Sequence, residues 1–218
     1  MIRSLKLLGA LGAILVLTAA VASAASAAKY TASGYPTTAT GESAVGNDVF
    51  KTEAGNSECK THYEAPSLTA ASLTLTMKTK TTSCKTFGFL ESTVSMGSCD
   101  YLYTEPTFLE TTESGKVHDY TATAHIKCTN AASPITISSA TCKVTIGEQS
   151  LGGHVIITVT TATGDWDFRL TLTGIKYTVT EDGFGCPFGG TGAKTGATYT
   201  QGSAVTFDST NGATIDVG

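Results

Sequence analysis

The sequence predicts an all-β fold: an antiparallel β-sandwich or barrel held by disulfides, preceded by an N-terminal signal helix. Three features predict it. Apolar residues recur at every second position in run after run, Thr fills 40 of 218 positions, and six cysteines accompany an export leader. Period-two alternation puts one face of an extended segment toward a core and the other toward solvent. Thr is β-branched and suits a pleated, half-exposed surface.

Residues 1–28 have the three parts of a secretory signal. Arg3 and Lys6 form the basic start, Leu7 to Ala22 is uncharged and apolar, and Ala22-Ser23-Ala24 and Ala25-Ser26-Ala27 offer small-x-small cleavage patterns. Cleavage after Ala24, Ala27 or Ala28 fits, with Ala27 or Ala28 favoured. The apolar run of about 16 residues falls short of the roughly 20 that span hydrocarbon. No Cys stands near the cleavage region to take a lipid. The expected product is a secreted, extracellular or envelope-associated chain with no membrane contact after cleavage.

Removal of the leader leaves 12 basic residues against 18 acidic ones, a net charge of −6, with Arg169 as the last Arg. A nucleic-acid binder needs clustered Lys and Arg to displace counterions, so that class is disfavoured. The segment 29–218 is expected to form a single β domain, with a possible subdivision at the polar stretch 110–116. About 190 residues can bury a sizeable core in one unit.

The cysteines are Cys59, Cys84, Cys99, Cys128, Cys142 and Cys186. An even number in an exported chain reads as three disulfides. No C-x-x-C pair occurs, which argues against a zinc ribbon or a redox motif. Of the fifteen possible pairings, the expected one joins Cys59 to Cys84, Cys128 to Cys142, and Cys99 to Cys186. Its best-argued bond is the second. Tyr120, Ala122, Ala124, Ile126 and Cys128 share one strand face, as do Cys142, Val144 and Ile146, and a short connection containing Pro134 joins the two segments.

Several further strands are legible. Leu73, Leu75 and Met77 alternate with Thr74, Thr76 and Lys78. Val155, Ile157 and Val159 belong to an apolar strand fit for a central place. Trp166, Phe168, Leu170 and Leu172 share a face. Gly174 marks a bend or bulge, because Ile175, Tyr177 and Val179 resume in the opposite phase. Tyr199, Val205 and Phe207 fall on later strands, and Asn211-Gly212 should turn the chain into a last one with Ile215 and Val217. Turn signals stand at Ala54-Gly55-Asn56, Gly152-Gly153, Thr163-Gly164-Asp165, Asp182-Gly183 and Gly189-Gly190. Many short strands with such turns indicate a sandwich or barrel.

Certain segments carry a resemblance. They are Phe50-Lys51-Thr52-Glu53-Ala54-Gly55 before Cys59, Ser83-Cys84 before Phe87-Gly88-Phe89, Gly97-Ser98-Cys99-Asp100-Tyr101, and Thr141-Cys142-Lys143-Val144. The most distinctive runs from Gly174-Ile175-Lys176-Tyr177-Thr178 to Asp182-Gly183-Phe184-Gly185-Cys186-Pro187-Phe188-Gly189-Gly190-Thr191-Gly192. In these the chain resembles a group of uncharacterised secreted proteins of high-GC Gram-positive bacteria. The resemblance implies a shared fold and export, and no activity or site residue.

Chemistry-bearing residues are few. Asp165 and Asp167 flank Trp166 and, with Asp182, could form a carboxylate pair for sugar cleavage. A plain strand start explains them better. Glu181-Asp182 beside Gly183 lacks a calcium-loop pattern. His62, His118, His125 and His154 are scattered without H-x-H or H-E-x-x-H. Gly41-Glu42-Ser43-Ala44-Val45-Gly46 misses the nucleophile-elbow spacing by one residue. No catalytic residue, metal site or cofactor is therefore expected. Phe184 and Phe188 around Cys186, with Tyr101 and Tyr103 near Cys99, could form a recognition surface, or they could line the core. The expected function is a non-enzymatic extracellular or cell-envelope module that binds or coats, with glycan or envelope protein as partner. The alternative is a secreted hydrolase with carboxylates converging from distant strands.

Overall fold

A computed structural model describes residues 28–43, 46–112, 117–160, 166–183, 186, 188–202, 205–209 and 215–217. The leader, Asp165, Phe184 and the Asn211-Gly212 turn lie outside them, as does the Thr163-Gly164-Asp165 turn. All regular structure among the described residues is β.

The strands are β1 (Tyr30–Ala32), β2 (Thr37–Ser43), β3 (Asp48–Lys51), β4 (Asn56–Leu68), β5 (Thr74–Thr86), β6 (Leu90–Ser95), β7 (Cys99–Thr112) and β8 (Val117–Cys128). They continue as β9 (Ile135–Ser139), β10 (Cys142–Ile146), β11 (Gln149–Ser150), β12 (Gly152–Thr160), β13 (Trp166–Asp182), β14 (Gly192–Thr200), β15 (Val205–Ser209) and β16 (Ile215–Val217).

Every described pairing between strands is antiparallel, and the pairings close an eight-stranded barrel. Three long strands, β4, β5 and β13, run through its length. At one end the ring closes as β5-β7-β8-β12-β13-β15-β2-β4. At the other it closes as β5-β6-β9-β10-β13-β14-β3-β4. Closure of this kind removes the open edges of a flat sheet, apart from one stretch of β5 between its pairings with β7 and β6. The stretch Glu110–Thr112 continues β7, and Thr112 pairs with Val117 of β8.

Interior positions follow the alternation. Leu75 and Met77, Val155, Ile157 and Val159, and Phe168, Leu170 and Leu172 are all buried. Leu73 precedes β5 and is exposed. Gly174, at φ +69°, sits in a register shift of β13, and Ile175, Tyr177 and Val179 are buried in the new phase. Gly152-Gly153 is not a turn. Both residues belong to β12, opposite Thr173 and Leu172. A Cβ on Gly153 would stand 2.0 Å from the Thr171 carbonyl oxygen, so Gly marks a close strand approach here.

Three disulfides form, and no described cysteine is free. They indicate an oxidising, extracellular type of setting. Cys59–Cys84 is as expected, but the other two bonds are Cys99–Cys128 and Cys142–Cys186. The expected Cys128–Cys142 and Cys99–Cys186 bonds fail because register decides proximity. Cys99 opposes Cys128 directly across the β7–β8 ladder, and opposed residues of adjacent antiparallel strands are close enough to be bridged. Cys142 begins β10, lies across from Asp182 of β13, and meets the loop that follows with Cys186.

Candidate functional site

Eight strands leave an interior just wide enough for side chains to fill. Aromatic rings occupy much of it. Tyr103 packs edge-on against Phe168 at 4.7 Å between centroids. Toward the end closed by β3 and β14, Phe50 meets Tyr177 and Phe188, each at 5.9 Å.

Between these groups the lumen turns polar around Asp48, which is 2% exposed. It lies at the start of β3, on the same face as Phe50. Ser43 Oγ donates to its Oδ1 at 2.8 Å, and the Gly202 N–H donates to the same oxygen at 3.1 Å. Tyr199 Oη donates to Oδ2 at 2.7 Å, and the Tyr63 hydroxyl donates there too. The Tyr63 and Tyr199 hydroxyls stand 2.8 Å apart. Burial, reinforced by the Asp48 charge, holds the hydroxyls of Tyr63 and Tyr101 well above their usual proton affinity. For Tyr199, burial comes first, then Tyr63 and Asp48.

Beside this cluster lies a space of about 50 Å³ with two unlike walls. On one side β4 and β5 present Ser57, Thr61, Thr79 and Thr81. On the other, β8, β9, β10 and β13 present Ile126, Ile135, Ile137, Ile146 and Ile175. The Oγ atoms of Ser57, Thr61 and Thr79 are buried without a hydrogen-bond partner. Such groups are costly to leave unpaired. The space meets the wall at a seam. Lys78 to Cys84 of β5 have no register partner on the side of β6 and β7 among the described residues. The Thr81 hydroxyl crosses the seam to the Val94 carbonyl at 3.1 Å.

The residues singled out from sequence fall elsewhere or inside. Tyr101, Tyr103 and Phe188 are 8%, 0% and 2% exposed, so none of them presents a recognition surface. Their alternation points into the barrel, and of the three only Tyr101 borders the space. Asp167 lies on the outer face and Asp182 is exposed at the far end of β13. Fifteen residues of strand at about 3.3 Å each put roughly 50 Å of chain between them. A glycosidase pair needs its carboxyls within about 10 Å. His62, His125 and His154 take the outward parity of their strands, whereas His118 shares the face of buried Tyr120. His62 Nδ1 meets Glu42 at 3.3 Å, and His125 contacts Thr104 Oγ1 at 3.2 Å and Ser150 Oγ at 3.0 Å. His118 lies edge-on to Phe108, and His154 is exposed. Among the described residues no three His, Cys, Asp or Glu side chains group as metal ligands.

Asp48, Tyr63, Tyr199 and the hydroxyl wall escaped the sequence reading. A signal for them existed. Ser57, Thr61 and Tyr63 share parity with Cys59, and Asp48 shares parity with Phe50. No protein-family model matches the chain, and neither does any curated protein or solved structure.

Proposed function

We propose that this chain is a secreted, non-catalytic module that holds a small ligand inside its barrel, in an extracellular or cell-envelope setting. The observation that carries the reading is the two-sided lumenal space. One wall is isoleucine, and the other carries the buried Ser57, Thr61 and Thr79 hydroxyls, which no protein group bonds. A core built only for stability would fill such a place with apolar side chains or pair every hydroxyl. Ligand pockets have the opposite character: mostly apolar, with a few convergent polar groups. The leader supports export, and so does the resemblance to secreted proteins of high-GC Gram-positive bacteria. The contacts with glycan or envelope protein expected from the sequence would then fall to the Thr-rich outer wall.

The test is an amide-resolved NMR titration of the oxidised protein with small alcohols, amines, acids and aromatic compounds. Binding should shift amides of β4, β5, β9 and β10 together. Ile137→Trp, which fills the space, should abolish the shifts while the fold persists. Shifts confined to outer residues, or unchanged by Ile137→Trp, would overturn the reading.

A further inference from the structure

We infer that the lumenal ligand is a small organic ammonium ion, bound with its charged head near Asp48 and its hydrocarbon part against the isoleucine wall. This rests on the lumenal reading above and names its ligand class. Asp48 is the one acidic or basic residue buried among the described residues. No Lys, Arg or His there pairs with it within 4.0 Å. Its four donors are Ser43, Tyr63, Tyr199 and the Gly202 amide, all neutral. They spread the negative charge without cancelling it, and a buried charge with no counter-charge is expensive.

The adjoining space is suited to hold a positive charge beside Asp48. Asp48, Tyr101 and Tyr199 all border it, with the two rings 6.1 Å apart. Aromatic faces beside a carboxylate attract an ammonium through the ring quadrupole and through the field of the carboxylate. Thr61 and Thr79 lie diagonally on adjacent strands and offer oxygen lone pairs to N–H donors. A bare metal ion fits less well. It needs several oxygen ligands, and isoleucine offers none. A volume of about 50 Å³ compares with the roughly 10–15 Å³ that a single water requires. That admits a head group and a chain of two or three carbons.

The experiment titrates the oxidised protein with propylammonium, 1-propanol and propionate in separate arms, read by NMR shifts of lumenal amides. Propylammonium should bind about tenfold or more tightly than 1-propanol, with propionate weakest, on the strength expected of a desolvated cation–aromatic contact. Asp48→Asn should reduce propylammonium to the alcohol's level and leave 1-propanol unchanged. Tyr101→Leu should weaken propylammonium selectively, and it decides the matter if Asp48→Asn fails to fold. If 1-propanol binds as well as propylammonium, the ammonium inference falls and the lumenal site stands. If none of the three shifts lumenal amides, both fall.

Discussion

Alkaline pH should unfold this barrel abruptly, and the tyrosines say how steeply. Burial raises the hydroxyl pKa of Tyr30, Tyr63, Tyr101, Tyr103 and Tyr199 above the ordinary value near 10. The folded state therefore keeps protons that the unfolded chain releases. The stability tied to these groups is fully present below about pH 10, and it drains as pH rises through the folded values. Each group that stays protonated only when folded contributes a slope of about 1.4 kcal/mol per pH unit. Five give about 7 kcal/mol per unit, or roughly 7 kcal/mol lost by pH 11. Domains of this size are stable by about 5–15 kcal/mol. The transition should therefore fall near pH 11–12 and be sharp. Tyrosinate absorbance and far-ultraviolet circular dichroism, followed together, provide the assay. Several tyrosines should ionise in one step that coincides with loss of the β signal, and neutralisation should reverse it. Gradual ionisation of all five near pH 10 with the β signal intact would refute the reasoning.

Two tyrosine substitutions should differ in sign. The Tyr103 hydroxyl is buried without a partner, so Tyr103→Phe should be neutral or stabilising by up to about 1 kcal/mol in denaturant titration. Tyr63→Phe removes a donor from buried Asp48 and should cost about 1–3 kcal/mol. Gly153 stands at φ +100° against the Thr171 carbonyl. Gly153→Ala should cost about 1–3 kcal/mol by the same measurement. Non-reducing peptide mapping should recover Cys99 joined to Cys128, and Cys99→Ala with Cys128→Ala should cost about 2–5 kcal/mol. Cys128 found joined to Cys142 would reject the β7–β8 register.

Local features of the fold were legible in the sequence, and long-range features were not. Alternation alone placed Val155, Ile157 and Val159 inside, and a phase break alone located the bulge at Gly174. Both depend on neighbours within one strand. The disulfides depend on which strands lie side by side. Cys128 and Cys142 are near in sequence, yet β9 intervenes between their strands and β10 turns its other edge to β13. The site was hidden for a related reason. Asp48, Tyr63 and Tyr199 are up to 151 residues apart, and each looks ordinary alone. Only closure of the barrel brings them to one point. The Gly-rich segment around Cys186 drew notice for its composition, but Phe188 serves there to plug the barrel beside Phe50.

The distribution of side-chain size inside the barrel bears on why the space exists. An eight-stranded wall can be filled completely, and aromatic pairs fill it on either side of the space, Phe50 against Phe188 and Tyr103 against Phe168. Large residues are thus available to this fold at lumenal positions. Yet Ser57, Thr61, Thr79 and Thr81 stand opposite isoleucines in the middle. Substituting Val at Thr61 or Thr79 would keep the shape and remove an unpaired hydroxyl, a change that ordinarily stabilises. Natural sequences are rarely at their stability optimum, so an unpaired hydroxyl can persist without any ligand. What the proposed lumenal ligand adds is a bonding partner for those oxygens, which the Thr61 and Thr79 hydroxyls lack within the protein. The only buried carboxylate of the described residues, Asp48, borders the same small space, which is where the proposed ammonium ion would sit.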